Sequence, residues 1–306
     1  MLPYLDEEQV RSLLRLEDLL PAMERALVDV SAGRIAQPAR QMLKAPAQGA
    51  YFAAMPAAGA LGMGAKLVSI YPGNAAAGLH THLALILLFR PETGEPLAVM
   101  DGRLITELRT AAVSAVATRM LSDPGATVLA ILGGGVQARS HLAALRLVRP
   151  FEEVRVWSRN PANAERFAAE TGARAMGAEA AVRGADVVVT ATPATAPILA
   201  GAWLKPGAHV NAVGWAGPNG RELDDAAMRD SVVIADSREG VMREAGDVLL
   251  SGASIHAELG ELLSGAVTVP SDRTTVFESV GMAAEDVAAA TVVHERYLAE
   301  RRAAMA

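Results

Sequence analysis

Leu, Met and Val recur every three or four positions through residues 7–14 and 17–30, which predicts two amphipathic helices, with Gly33 as a stop for the second. Residues 37–78 lose this period: Gly, Ala and Pro punctuate them, and strand-like fragments stand at 40–43, 51–55 and 65–71. Two further apolar runs, 83–89 and 96–100, flank the turn Pro91-Glu92-Thr93-Gly94 and predict a hairpin. An Ala-rich helix over 105–121 ends at Ser122-Asp123-Pro124-Gly125, a break that marks a domain boundary. Beyond it the texture changes. Short apolar runs at 127–132, 154–157, 187–191, 209–213 and 232–235 alternate with helical patterns, among them 140–146, 162–170 and 178–182. Strand–helix alternation of this kind predicts an α/β fold, a Rossmann-type doubly wound parallel sheet. A last helix over 285–302 follows, and because domain termini often meet it is assigned to the first domain. The expected organisation is residues 123–286 as the doubly wound domain, and residues 1–122 with 287–306 as a discontinuous α+β domain.

Composition narrows the function classes. At 306 residues and 51% hydrophobic, the chain can bury the cores of two domains. Net charge is −6, with no basic run and no aromatic-interleaved basic patch, so no nucleic-acid partner is expected. Cysteine is absent, which excludes disulfides and thiolate metal sites. The start, Met1-Leu2-Pro3-Tyr4-Leu5-Asp6-Glu7-Glu8, lacks the basic and apolar regions of a signal peptide, and no apolar stretch reaches the ~18 residues of a membrane span. The expectation is a soluble, cytoplasmic protein without a membrane partner.

Gly133, Gly134 and Gly135 end the apolar run Val128-Leu129-Ala130-Ile131-Leu132, and a helical pattern follows at once. Gly133-x-Gly135-x-x-Ala138 fits the G-x-G-x-x-G/A fingerprint, in which glycines admit a pyrophosphate to a helix N-terminus. Such turns also arise for steric reasons alone; the second strand pattern at 154–157, closing a βαβ unit of the right size, adds the weight. That strand ends Trp157-Ser158-Arg159-Asn160. A carboxylate there would bond the ribose 2′-hydroxyl of NAD(H) and repel a 2′-phosphate. Arg159 can instead pair with the phosphate and stack on adenine, while Ser158, Asn160 and Asn163 add hydrogen bonds. NADP(H) is the expected cofactor, and NAD(H) the alternative.

In the first domain Arg40, Lys66 and Arg109 each stand in apolar surroundings. A buried cation needs an anionic partner, either a carboxylate of the fold or a ligand. Singly, each is more often an ion-pair member or a snorkelling side chain. His80 and His82, at spacing two before an apolar run, point to opposite faces of a strand and make a poor chelating pair, so no metal is expected.

Several ordered runs carry a resemblance that spans nearly the whole chain: Ala98-Val99-Met100-Asp101-Gly102, Arg109-Thr110-Ala111-Ala112-Val113, Ile131-Leu132-Gly133-Gly134-Gly135-Val136-Gln137-Ala138, Pro206-Gly207-Ala208-His209-Val210-Asn211-Ala212-Val213-Gly214, Gly246-Asp247-Val248-Leu249-Leu250-Ser251-Gly252 and Thr274-Thr275-Val276-Phe277. Together they resemble the ornithine cyclodeaminase/mu-crystallin family, nearest its ketimine reductase branch. The resemblance implies that Arg40, Lys66 and Arg109 clamp a substrate carboxylate, with Thr81 and His82 in the same pocket. It implies that Gly133, Gly135, Val136 and Gln137 bind pyrophosphate, and that Ser158, Arg159 and Asn160 hold the adenosine 2′-phosphate. Thr192 and Pro193 would edge the cofactor, with Val213 and Val280 approaching nicotinamide and substrate. A homodimer through the non-Rossmann domain is implied as well.

One position departs from the pattern. Cyclodeaminases and alanine dehydrogenases of the family carry an Asp shortly after the Asn-Ala-Val/Ile-Gly run, where this chain has Ala216. Alanine moves no proton and holds no ammonium group. The resemblance therefore implies NADPH-dependent reduction of a carboxylated imine, for example pyrroline-2-carboxylate or piperideine-2-carboxylate, with the proton from Lys66 or from solvent. The alternatives are reductive amination of a 2-oxo acid, reduction of an acyclic imino acid, ornithine cyclisation, and a non-catalytic crystallin-like binding protein.

Overall fold

A computed structural model of the chain describes residues 2–214, 217–270 and 272–305. The chain divides into two compact units: Met1–Arg109 with Met282–Ala306 (unit 1), and Thr110–Gly281 (unit 2).

Unit 1 begins with strand β1 (Tyr4–Leu5), helix α1 (Glu7–Leu13) and helix α2 (Leu16–Ser31). Asp6 starts α1 through a capping box: its side chain accepts from the Gln9 amide, and Gln9 Oε1 accepts from the Asp6 amide. Strands β2 (Gln41–Lys44), β3 (Tyr51–Gly59), β4 (Gly62–Ile70), β5 (His82–Phe89) and β6 (Pro96–Asp101) complete a sheet ordered β1-β6-β5-β4-β3-β2, antiparallel except for the β1–β6 pair. The two-residue alternation of strands divides its faces. Ala53, Met55 and Ala57, then Gly64, Lys66 and Val68, then Ala84, Ile86 and Leu88 form the buried face. Register sets Lys66 between Met55 and Ile86, a cation in the middle of an apolar layer.

Helix α3 (Arg103–Leu121) crosses from one unit to the other, the division falling after Arg109. The expected boundary at 122/123 follows the loop that ends this helix. The compact unit takes in the helix from Thr110 onward, whose Ala111, Ala112, Val113, Ala115, Val116 and Ala117 are all buried.

Unit 2 holds β7 (Val128–Leu132), α4 (Val136–Leu145), β8 (Glu153–Trp157), α5 (Pro161–Thr171), β9 (Arg174–Ala175), α6 (Ala178–Val182), β10 (Val187–Thr190), β11 (His209–Ala212), α7 (Asp225–Arg229), β12 (Val232–Ala235), α8 (Arg238–Glu244), α9 (Gly246–Ser251), β13 (Ile255–Glu258), α10 (Leu259–Leu263) and β14 (Thr275–Glu278). The strands pair in the order β13-β12-β14-β11-β10-β7-β8-β9, every pair parallel. Strand order reverses direction between β7 and β10, the switch point at which open α/β sheets bind ligands. Polar groups in the buried strands satisfy one another: His209 bonds Thr275 Oγ1 (2.8 Å) and Asn211 Oδ1, and Asn211 donates to Thr118 Oγ1 at 2.9 Å. His209 is thus a structural histidine.

The chain ends in unit 1 with α11 (Ala283–Met305), which packs on α2 and across β3, β4 and β5 through small residues such as Ala284, Ala288 and Val287. Among the described residues no helix is long and apolar enough to cross a membrane.

Candidate active site

In unit 2 the glycine loop joins β7 to α4. Gly133 has φ +137°, and a Cβ there would lie 2.7 Å from Ala191 O, so only glycine fits. At Gly135, by contrast, a Cβ would meet open space, and α4 begins with no side-chain cap. Arg139 donates to the carbonyls of Gly134 (2.9 Å) and Gly135 (3.0 Å), which ties them back towards the helix. The first amides of α4 are left for an anion, with the positive end of the helix dipole behind them. Gln137 Oε1 is buried and has no hydrogen-bond partner among the described residues. An open cradle, an uncapped helix and an unpaired acceptor fit a pyrophosphate and its ribose.

At the end of β8, Ser158 is half-buried and Arg159 exposed, and Arg159 has no ion-pair partner among the described residues. Asn160 serves the fold directly, as its Oδ1 accepts from the Ala162 amide and caps α5. Asn163 is half-buried, with its backbone against Gly134.

On the other side of the switch point, Thr192 and Pro193 follow β10 and Val213 follows β11, whose amide donates to Thr190 O at 3.0 Å. One carboxylate joins these two loops. Glu222 Oε1 accepts from the Thr192 amide (2.7 Å) and hydroxyl (2.6 Å), and Oε2 accepts from the Gly214 amide (3.0 Å). Burial pushes the Glu222 carboxyl up to about 7. Asp247 and Glu278 line the same small cavity beside Val280. Burial lifts Asp247 to about 6 and Glu278 well above the carboxylate range. Ala216 lies outside the described residues.

In unit 1 the sheet and two helices bring four ionised groups together. Lys66, 2% exposed on β4, pairs with Asp286 of α11 at 2.7 Å and donates to Thr106 Oγ1 of α3 at 3.3 Å. Arg109, 4% exposed, donates through Nη1 to Glu285 (2.7 Å) and through Nε to Asp286 (2.9 Å). Burial raises the Asp286 carboxyl, but Arg109 and Lys66 together outweigh it and hold that group below its ordinary value. Lys66 is lowered to about 8: burial disfavours its charge most, Asp286 opposes, and Arg109 and Arg40 add repulsion. His82, half-buried at the start of β5, is lowered to about 4 by burial and by Lys66, so it is neutral at pH 7. Arg40 is half-buried and Thr81 exposed.

Sequence reasoning singled out the cations and missed their partners. Glu285 and Asp286 entered only as the start of the helix pattern over 285–302, with no role assigned to them. The available signal was their setting, two adjacent carboxylates inside Met282-Ala283-Ala284-Glu285-Asp286-Val287-Ala288-Ala289-Ala290, a segment too apolar to remain in solvent. Glu222 was missed too, and its neighbours Arg221 and Leu223 carry no comparable signal.

Comparison with known proteins agrees with this architecture. The model of the ornithine cyclodeaminase/mu-crystallin family matches residues 4–301. The ketimine reductase mu-crystallin of Mus musculus is 47% identical, over 96% of this chain and 97% of that protein. The Thermococcus litoralis Δ1-pyrroline-2-carboxylate reductase, solved with NADH and L-proline, superposes with a TM-score of 0.93 at 35% identity, over 98% of each chain. An archaeal alanine dehydrogenase dimer with bound NAD gives 0.92 at 33% identity, over 98% of this chain and 97% of that one. The chain belongs to the ornithine cyclodeaminase/mu-crystallin family.

Proposed function

We propose that the protein is a nicotinamide-dependent oxidoreductase that reduces carboxylated imines, with cyclic ketimines such as pyrroline-2-carboxylate and piperideine-2-carboxylate as substrates and L-proline and L-pipecolate as products. The observation that carries this reading is Lys66, a buried lysine lowered to about 8 and held by Asp286 and Thr106 beside Arg109. Lys66 and Arg109, fixed by Asp286 and Glu285, with Arg40 close enough to repel Lys66, supply the cationic donors that suit a substrate carboxylate. The paired acids fix the cations before any ligand arrives, which is catalysis by positioning. A C=N carbon accepts hydride readily only when its nitrogen is protonated, and a lysine near 8 releases a proton at little cost at neutral pH. We assign that proton to Lys66. Bound in unit 2, the dinucleotide supplies the hydride from nicotinamide C4. Ala216, in place of the acid that the cyclodeaminases carry, disfavours ammonia release and leaves reduction as the reaction.

Exposed Arg159 and the lack of a carboxylate at the end of β8 support NADP(H) over NAD(H). The open face of the unit 1 sheet supports a homodimer. Leu43 (64% exposed), Phe52 (41%), Leu83 (44%) and Leu85 (41%) stand on it, joined by register across β2 to β5, in a layer of Ala54, Leu67 and Leu87. An apolar face of that extent calls for a partner, and a second copy would cover it symmetrically. Light scattering should give a dimer that Leu85→Lys dissociates; a monomeric wild-type chain would reject this part.

The test of activity is loss of NADPH absorbance with a panel: the two cyclic ketimine carboxylates, pyruvate with ammonia or methylamine, iminosuccinate and ornithine. Turnover of the cyclic ketimines above the rest is expected. A preference for oxo acid plus amine would make the protein an amine-incorporating dehydrogenase, and no turnover of any would favour the binding-protein alternative.

A further inference from the structure

Parallel α/β sheets present their ligand side at the C-terminal strand ends, and in unit 2 two adjacent loops leave that edge side by side. Thr190 of β10 is in register with Ala212 of β11, and the loops begin immediately after them. Their first amides still pair with strand ends, Ala191 N–H with Leu132 O (2.9 Å) and Val213 N–H with Thr190 O (3.0 Å). One residue further along each loop Glu222 takes over: its carboxylate accepts from the Thr192 amide and hydroxyl on one side and the Gly214 amide on the other. Glu222 is itself held along its backbone. Its amide and that of Leu223 donate to Asp247 Oδ1 (2.9 and 2.6 Å), and its carbonyl accepts from Ile198 and Leu199 (2.7 and 3.0 Å). A side chain at Gly214 would run into both the Glu222 carboxylate and Thr192 O, so the contact admits only glycine.

The geometry points to Glu222 as a positioning residue that latches the Thr192 and Gly214 loops together and so sets the nicotinamide end of the cofactor site, leaving the adenine end untouched. This rests on the proposal that unit 2 holds a nicotinamide dinucleotide. The adenine side is built from different parts, the α4 N-terminus and the Ser158–Asn163 segment, and neither touches Glu222. All three groups that meet the latch are donors, and two are backbone amides that cannot turn away. Glu222→Gln offers one acceptor oxygen and one NH2 group. If the oxygen serves Thr192, the NH2 faces the Gly214 amide, donor against donor, and that loop is released.

The test separates the two halves of the cofactor by binding alone. Fluorescence titrations of the full chain with NADPH, NADH, 2′,5′-ADP and ADP compare wild type with Glu222→Gln. The expected result is a Kd for both dinucleotides raised at least about tenfold, with the Kd of 2′,5′-ADP and ADP within about twofold of wild type. Should Glu222→Gln not fold, Glu222→Asp keeps the carboxylate but shortens its reach by one methylene and should give the same split in weaker form. Parallel weakening of dinucleotide and adenine nucleotide, or no weakening of either, would overturn the positioning role. A wild-type chain that binds none of the four probes would instead overturn the dinucleotide site itself, and the positioning role with it.

Discussion

Arg109→Ala tests the unit 1 cluster where it is most exposed to contradiction. In the native chain the Arg109 guanidinium, 5% exposed at its side chain, meets Glu285 at 2.7 Å and Asp286 at 2.9 Å, and both carboxylates are fully buried. Truncation takes the shared cation from both anions, while Asp286 keeps its pair with Lys66 and Glu285 its bond from the Met282 amide. Breaking a buried pair from one side costs about 3–5 kcal/mol, because the orphaned charge stays out of water. With a urea slope of about 2–3 kcal/mol/M, the unfolding midpoint should fall by roughly 1–2.5 M. The chain offers a way to see where. All three tryptophans, Trp157, Trp203 and Trp215, belong to unit 2, whereas the cluster belongs to unit 1. The loss should therefore be larger by far-UV circular dichroism, which sees both units, than by tryptophan fluorescence. Arg109→Ala/Glu285→Ala removes one charge of each sign and should recover part of the loss, a coupling of about 1–3 kcal/mol. On the folded remainder, kcat/KM for a carboxylated imine should fall at least about a hundredfold, as misplacement by ~1 Å alone can cause. An unchanged urea midpoint, or a double variant no more stable than the sum of its parts, would refute the electrostatic account; a folded Arg109→Ala enzyme with near-normal turnover would refute the clamp.

Three shorter predictions follow the same logic. Arg159→Ala should weaken NADPH roughly ten- to a hundredfold, about 1.5–3 kcal/mol for a lost charged partner, with little change for NADH; equal losses in titrations of both would remove Arg159 as the phosphate reader. Lys66 is protonated below about 8, so a proton it donates is lost as pH rises through that value: kcat should fall about tenfold per pH unit above it, and Lys66→Met should lose that limb of the profile, whereas a limb that survives would assign the proton to solvent. Burial raises Glu222 to about 7, Asp247 to about 6 and Glu278 well above its ordinary value, so in the window from the unfolded carboxylate range up to those raised values the folded chain binds more protons than the unfolded one. Their stabilisation is full below that window and fades as pH rises through it. Thermal unfolding followed by tryptophan fluorescence at about pH 5.5 and pH 8 should show a smaller fall for Glu278→Gln than for wild type, and an equal fall would contradict the assignment.

The Rossmann half was legible where burial on both faces writes a continuous apolar run, as at Val128-Leu129-Ala130-Ile131-Leu132 and Val187-Val188-Val189. It was illegible at β14, a central strand between β12 and β11 that reads only Thr275-Val276-Phe277-Glu278 and ends in a buried acid. Nothing local marks such a segment as a strand; its partners lie 40 or more residues away, about the separation of Val232 from Thr275. The same distinction divides the sites. Gly133 announces itself because its positive φ and its approach to Ala191 O demand glycine at the end of an apolar run. The Lys66 and Arg109 cluster closes through Glu285 and Asp286, some 176 to 220 residues later, and only the folded chain pairs them.

The most direct measurement follows the hydride itself. NADPH carrying deuterium at the transferable position of nicotinamide C4 is turned over with pyrroline-2-carboxylate, and the proline is analysed by mass spectrometry and on a chiral column. Reduction of the C=N bond moves a hydride to the imine carbon and a proton to nitrogen. The account predicts L-proline with one deuterium at the α-carbon, one equivalent of NADP+ per proline, and no deuterium at that carbon when unlabelled NADPH is used in heavy water. Proline that carries no cofactor deuterium, or α-carbon label taken from the solvent, would contradict it.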